Sequence, residues 1–99
     1  MFAFTHTFNQ PLDRWDVSHV LSTNYMFYSA KAFNQPLDRW TLSAVANISG
    51  MFITTEDFNQ PLLSWNIAAI PNKEAVFRFS HSYNQPETLS VWCAAGYEE

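Results

Sequence analysis

The sequence predicts an α/β solenoid of 25-residue units, each made of one short parallel strand and one helix. The string from Phe8 to Trp15 returns unchanged from Phe33 to Trp40, and again with two substitutions from residue 58 to residue 65. The first four positions of the string are found once more from Tyr83, with Tyr in place of Phe. Successive copies therefore always begin 25 residues apart. Within each unit the spacing of apolar residues changes from every second residue to every third or fourth. Such regularity is typical of arrays whose units pack only against their neighbours.

The repeat predicts that the chain forms a single solenoid domain of about three to four units. Residues 25 apart occupy the same position of the repeat, and we call such a set a column. Met1 and Met26 share a column, so the chain begins in mid-unit and we interpret it as a piece of a longer array. The predicted parts are an incomplete N-terminal unit at 1–12, full units at 12–36, 37–61 and 62–86, and an irregular C-terminal end at 87–99.

Each full unit is expected to begin with a strand of about five residues. Trp15 and Val17 lie two residues apart, as one face of a strand requires. Arg14, Asp16 and Ser18 alternate to the opposite face. Such strands would stack into one parallel sheet with right-handed crossovers, which are the strong default for this connection.

The second half of each unit is expected to be a helix. Apolar residues there are spaced by threes and fours, which lines one side of a helix, as in Val45, Ile48, Met51, Phe52 and Thr55. The Asn-Gln-Pro step ends each helix, because a residue before proline is disfavoured in the helical conformation. The predicted helices are 21–31, 46–56 and 71–80.

The last unit departs from the pattern, and two strand registers remain open for it. Glu87 replaces Leu62, while Trp92 stands in the inward column of Ile67. A shift of one residue would instead turn Cys93 inward and Trp92 outward. We interpret this unit as a C-terminal cap, since terminal units of solenoids are commonly atypical.

Composition excludes several classes of partner. The formal net charge is -4 with five Lys and Arg, which gives no basic footprint for nucleic acid or anionic lipid. No run of 18 apolar residues is present, and residues 1–99 encode neither a membrane span nor a signal peptide. The lone Cys93 supports no disulfide framework and is interpreted as a structural residue.

Two polar or aromatic columns recur in every unit and could be structural or functional. They are Asn9, Asn34, Asn59 and Asn84, and Trp15, Trp40 and Trp65. An Asn in each unit favours a buried ladder over ligand contacts, because an amide pairs with both donors and acceptors. The tryptophans are predicted to lie in the core rather than in a sugar-stacking strip.

No catalytic, cofactor or metal site is predicted, and an enzyme is disfavoured. The histidines lack metal-ligand spacing. Asp13, Asp16 and Asp38 could approach each other and hold a calcium ion, but ion pairs with the neighbouring arginines are favoured. Asp16, Ser18 and His19 have the residue types of a hydrolase triad, yet a strand would direct neighbouring side chains apart.

The repeat resembles that of the BspA-type leucine-rich-repeat surface proteins of bacteria and mycoplasmas. The motif M-F-x-x-A-x-x-F-N-Q-P-L-x-x-W-D-V-S-x-V is found from Met26 to Val45, with Thr41 and Leu42 in place of D-V. Residues 15–18 match W-D-V-S directly. The resemblance implies a leucine-rich-repeat-like solenoid on a cell surface or secreted, anchored through a lipoprotein or the wall, acting in adhesion and protein interaction. It carries no catalytic residues.

The predicted function is therefore a non-catalytic surface module that binds a protein partner or another host or extracellular ligand. A glycan-binding module is the alternative. Strand alternation assigns the binding surface to the outward side of the sheet, at Arg14, Asp16, Ser18, Arg39, Thr41, Ser43, Ser64 and Asn66. Nucleic acid and direct membrane insertion are not expected.

Overall fold

The computed structural model describes residues 2–98 and shows a stack of coils built from tight turns joined by irregular segments. We call residues 12–36, 37–61 and 62–86 coil 1, coil 2 and coil 3. The regular elements of the described chain are one short 3-10 helix, Ile67–Ala69, and one α-helix, α1, Pro86–Ala94.

The predicted solenoid of parallel strands and helices, and with it the leucine-rich-repeat-like sheet, is wrong. Within residues 2–98, β pairing is limited to isolated parallel bridges that join Ser22 to Asn47 and Asn47 to Asn72. Turns occupy most of the predicted helices at 21–31, 46–56 and 71–80. The predicted repeat length of 25 residues is the length of one coil, but a coil contains neither the predicted strand nor the predicted helix.

Tight turns account for the apolar spacing that suggested helices. In coil 2, the N–H of Trp40 donates to the Leu37 carbonyl at 3.0 Å, and that of Met51 donates to the Ile48 carbonyl at 3.1 Å. All four of these side chains are buried. A turn of this kind returns the chain after three residues, so apolar residues three apart can face one core without a helix.

Main-chain hydrogen bonds join successive coils along one side of the stack. In coil 1, the N–H groups of Thr23, Tyr25, Phe27 and Ser29 donate to carbonyls of coil 2 at 2.9 to 3.0 Å. The N–H groups at the same columns of coil 2 donate to coil 3. Each coil thus donates to the next one, and residues 2–4 donate to coil 1 in the same way.

Left-handed backbone conformations recur at two columns of this side. Tyr25, Gly50 and Ala75 have φ of 56°, 65° and 54°. Phe4, Ser29, Thr54 and Phe79 form the second column, with φ between 56° and 62°. Because a helix needs negative φ throughout, these residues alone exclude the predicted helices.

The core is a set of aromatic columns between the coils. The rings of Phe27 and Phe52 are 5.5 Å apart and nearly parallel, and those of Phe33 and Phe58 are 6.0 Å apart. Within coil 2, Phe52 lies 4.3 Å from Phe58. All four rings are fully buried. Stacked aromatic pairs contribute beyond their buried area, so these columns help to hold successive coils together.

The C-terminal end is helical, which makes both predicted strand registers wrong. Pro86 lies in the first turn of α1, where its missing N–H costs nothing. Trp92 is fully buried and donates from Nε1 to the Leu62 carbonyl at 3.2 Å. Cys93 is exposed. The helix therefore covers coil 3 through the tryptophan.

Among residues 2–98, no helix is long and apolar enough to cross a membrane.

Candidate binding surface

Five of the eight predicted binding residues line one open groove between coil 2 and coil 3. These residues, which we call the groove residues, are Arg39, Thr41, Ser43, Ser64 and Asn66. The groove has a volume of about 710 Å³. All five are exposed, although the sheet from which that exposure was predicted does not exist. They are exposed because each lies between the buried residues of successive turns.

Hydrogen bonds between Asp38 and Ser64 fix one wall of the groove. Oδ1 of Asp38 accepts from the Ser64 N–H at 2.9 Å and from the Ser64 hydroxyl at 3.0 Å. The same hydroxyl also contacts the Asp38 carbonyl. These bonds join the coil 2 side of the groove to the coil 3 side, so the two sides are held at a fixed separation. Sequence reasoning missed Asp38 as a wall residue, although its recurrence in the column of Asp13 was a signal.

Two buried tryptophans form the floor of the groove. Trp40 and Trp65 are only 3% and 4% exposed. Their Nε1 atoms donate to the carbonyls of Leu12 at 2.7 Å and Leu37 at 3.0 Å, each in the preceding coil. Since the rings are already packed and bonded, the groove offers no aromatic face for stacking on a sugar.

Arg39 is the only basic residue that lines the groove within the described chain. Its side chain is 77% exposed, and its Nη1 atom lies 4.0 Å from Oδ2 of Asp13. This is the ion pair expected for an Arg and a neighbouring Asp. An exposed pair at that distance contributes little to stability, so the guanidinium can exchange it for a ligand at low cost.

The other three predicted binding residues lie on coil 1, outside the groove. Arg14 and Asp16 are exposed and Ser18 is half-buried. The Ser18 N–H and hydroxyl donate to Oδ1 of Asp16 at 3.0 and 2.6 Å. These bonds lower the pKa of Asp16, with the Ser18 hydroxyl as the largest cause. Asp16 and Ser18 therefore stabilise a local turn.

The expectation that Asp16, Ser18 and His19 diverge is wrong, because no strand separates them. Ser18 Oγ lies 3.3 Å from Nδ1 of His19 while it donates to Asp16. In a hydrolase triad the histidine lies between the carboxylate and the nucleophile and accepts the nucleophile's proton. Here the serine occupies the middle position and its proton is already given to the carboxylate. The histidine cannot act as its base in this arrangement.

The repeated asparagines form a hydrogen-bonded ladder that is half-exposed and not buried. Oδ1 of Asn34 accepts from the Asn59 N–H at 2.9 Å and from Nε2 of Gln60 at 3.0 Å. Asn9 and Asn59 serve the following coil in the same way. The amide oxygens of Asn9, Asn34 and Asn59 are thus occupied by the stack itself.

Trp15 differs from the other tryptophans of its column, since it is 44% exposed instead of buried as predicted. It borders a smaller cavity of about 290 Å³ together with Asp16, Ser22 and Asn24. No carbonyl among residues 2–98 accepts from its indole. The prediction failed because a column shows which way a side chain points and not whether a neighbouring coil covers it.

No group of three or more His, Cys, Asp or Glu within residues 2–98 is arranged to hold a metal ion.

Stacked 25-residue coils, with a polar groove between two of them, define a repeat protein. The chain belongs to the family described as Mycoplasma protein of unknown function, DUF285, whose family model matches residues 1–92. No curated protein and no solved structure matches the chain.

Proposed function

We propose that this chain is a non-catalytic surface repeat module that binds a protein partner through the groove between coil 2 and coil 3. The resemblance of its repeat to BspA-type surface proteins supports a place on a cell surface and a role in adhesion. The membership in a Mycoplasma repeat family is compatible with that place.

One observation supports the groove above other surfaces. Its walls carry exposed hydroxyl, amide and guanidinium groups on a backbone that hydrogen bonds between the coils hold in place. A preformed polar surface loses little conformational freedom on binding, which favours affinity. Arginine is enriched at the energetic centres of protein interfaces, so Arg39 is the expected anchor.

The test is binding of the immobilised chain to a panel of purified extracellular proteins. We expect saturable binding that Arg39→Ala weakens about tenfold, as for an interface anchor. Lys31→Ala is the matched control, because Lys31 is exposed outside the groove. Saturable binding that survives both Arg39→Ala and Asn66→Ala would contradict the groove as the binding surface.

Glycan binding is the second candidate, and the exposed Trp15 favours it. A half-exposed indole beside Asp16 and Asn24 combines a stacking face with polar groups that can bond sugar hydroxyls. A glycan array signal that Trp15→Ala abolishes and Arg39→Ala leaves intact would support this candidate. The opposite pattern, with a protein ligand and no glycan signal, would reject it.

A further inference from the structure

We propose that the upper end of the stack, which residues 2–15 form, is a docking site for one more coil of the same 25-residue repeat, carried by another molecule. We define the end face as the residues at this end whose columns bind the preceding coil elsewhere in the stack: Phe2, Phe8, Asn9, Gln10 and Trp15. This site is separate from the groove and does not depend on the function proposed for the groove.

The end face repeats the sequence of an interface that is occupied inside the stack. Residues 8–15 and residues 33–40 are identical, and the second copy of the string is bonded to the first. Trp40, in the second copy, is 3% exposed, whereas Trp15, in the first, is 44% exposed. The same side chain is therefore buried where a copy of the string lies above it and partly exposed where the described chain has none.

Three donors of the second copy show how one string binds the string above it. The Asn34 N–H and Nε2 of Gln35 donate to Oδ1 of Asn9 at 2.9 and 3.0 Å. Nε1 of Trp40 donates to the Leu12 carbonyl at 2.7 Å. The two acceptor residues are three positions apart in the first copy, as the Asn and the Leu are in every complete copy of the string.

The same three donors of the first copy are unpaired. The Asn9 N–H, Nε2 of Gln10 and Nε1 of Trp15 have no acceptor among residues 2–98. An occupant of the end face must place an amide oxygen over Asn9 and Gln10 and a carbonyl over Trp15. The Asn and Leu of one more copy of the string supply both acceptors at the required spacing.

A charged column at the same end is also incomplete. Nη1 of Arg39 lies 4.0 Å from Oδ2 of Asp13, and the Ser64 N–H donates to Oδ1 of Asp38 one coil further on. Arg14 lies in the column of Arg39 and Ser64, is exposed, and has no carboxylate partner within the described chain. An Asp after the Leu of the occupant, as in the first two copies of the string, would pair with it.

The cavity of about 290 Å³ beside Trp15 gives the occupant an apolar contact. Val20 and Met26 line this cavity, and Val20 is only half-buried. Their counterparts one coil below, Val45 and Met51, are 4% and 0% exposed. The cavity therefore lies where a coil above would cover the apolar residues of coil 1.

The coils of a second folded copy cannot supply the occupant, because each already has a neighbour below it. Coils 1 and 2 are followed by the next coil, and α1 covers coil 3. There Trp92 donates to the Leu62 carbonyl, and the Phe77 N–H donates to Oη of Tyr97 at 3.4 Å. The partner is therefore a repeat coil whose lower side is open.

The probe is a capped peptide with the sequence of residues 8–32, which lies above residues 33–57 in the stack. Unlabelled peptide is titrated into the 15N-labelled chain. We expect the Asn9 amide and the Trp15 indole N–H to shift and their hydrogen exchange to slow about tenfold, while the Trp40 indole N–H is unchanged. A peptide of scrambled sequence should shift neither group.

Two matched comparisons test the contacts. In the chain, Trp15→Ala should weaken peptide binding about tenfold, whereas Leu63→Ala should leave it unchanged, since Leu63 is equally exposed at 43% but lies on coil 3. In the peptide, Asn9→Ala should weaken binding about fivefold, because it removes the oxygen offered to two donors.

Three results would overturn the proposal. The first is no shift of the Trp15 indole N–H with millimolar peptide. The second is equal binding of the scrambled peptide, which would reduce the end face to an unspecific apolar surface. The third is self-association of the free chain that protects the Trp15 indole, which would make the occupant a second copy.

Discussion

At the scale of single residues, the path of the backbone depends on left-handed conformations at residues whose types do not predict them. A non-glycine residue pays roughly 1 to 2 kcal/mol in this conformation. Of the two columns that adopt it, only Gly50 is a glycine. The N–H groups of Tyr25, Ser29 and Thr54 donate to carbonyls of the next coil.

Gly50 gives a direct test of this geometry. A Cβ added to it would lie 2.3 Å from Cε1 of Tyr25, at a φ of +65°. We expect Gly50→Ala to cost about 2 to 3 kcal/mol, of which about 1 kcal/mol is the backbone conformation and the rest the contact with the ring. Ala75 has the same conformation in the same column, so alanine itself is compatible with it.

Urea unfolding of Gly50→Ala, Tyr25→Ala and the double variant measures the two parts. We expect the double variant to be more stable than the sum of the single changes predicts, because removing the ring relieves the overlap. Strict additivity would mean that Tyr25 does not lie over Gly50.

At the scale of the element, the unit of stability is a bonded column that runs across coils. Asn34 illustrates this, since its Oδ1 serves both the Asn59 N–H and Nε2 of Gln60. Asn84 lies at the end of the same column. Within the described chain, its N–H donates to Asn59 but its side chain accepts from nothing. The same residue type therefore has different roles at two positions of one column.

We expect Asn34→Ala to lower the free energy of unfolding by about 1 to 2 kcal/mol, because it leaves a half-buried N–H and an amide without their acceptor. Asn84→Ala should change it by less than about 0.5 kcal/mol. Chemical denaturation of the two variants under identical conditions measures the difference. Equal losses would show that the asparagines act through local turns and not through the ladder.

The element is also the scale at which sequence reasoning reached its limit. The residues predicted to line helices, such as Ile48, Met51 and Phe52, are indeed buried. A spacing of three is shared by a helix and by a succession of tight turns, so the pattern defines the core without defining the backbone. What decides between them is φ at Tyr25 and Thr54, and neither residue type signals a positive value.

The exposure of the groove residues was predicted for a related reason. Arg39, Ser64 and Asn66 are exposed because positions between inward residues point outward in a strand and in a turn alike. The groove between the coils depends on the offset of coil 3 from coil 2, across which Ser64 donates to Asp38. A single repeat column carries no information on that offset. Trp92, for which both an inward and an outward position were open, points inward from a helix and not from a strand.

At the scale of the whole molecule, the chain is a short one-dimensional stack. Each coil contacts mainly its neighbours, so its stability is expected to be a sum of coil terms and interface terms. Coil 2 has a full coil on both sides, whereas among the described residues coil 1 is covered above by the partial unit at 2–11. Position in the stack should therefore decide the effect of an identical substitution.

Trp40 and Trp15 give the sharpest comparison, because they occupy one column of the same repeated string. Trp40 is 3% exposed and bonded to the Leu12 carbonyl at 2.7 Å, whereas Trp15 is 44% exposed. We expect Trp40→Ala to cost about 3 to 5 kcal/mol, since it opens a cavity and removes a hydrogen bond between coils. Trp15→Ala should cost only about 1 kcal/mol.

Arg39→Ala is the control for Trp40→Ala, one residue away and exposed to solvent. It should change the free energy of unfolding by no more than about 0.5 kcal/mol, because its one ion pair is exposed. Urea denaturation followed by far-UV circular dichroism compares the three variants without depending on tryptophan fluorescence. Similar losses for Trp15→Ala and Trp40→Ala would mean that the coils do not act as neighbours in a stack. A large loss in the free energy of unfolding for Arg39→Ala would mean that Arg39 stabilises the fold. It would then contradict the assignment of the groove as a free binding surface.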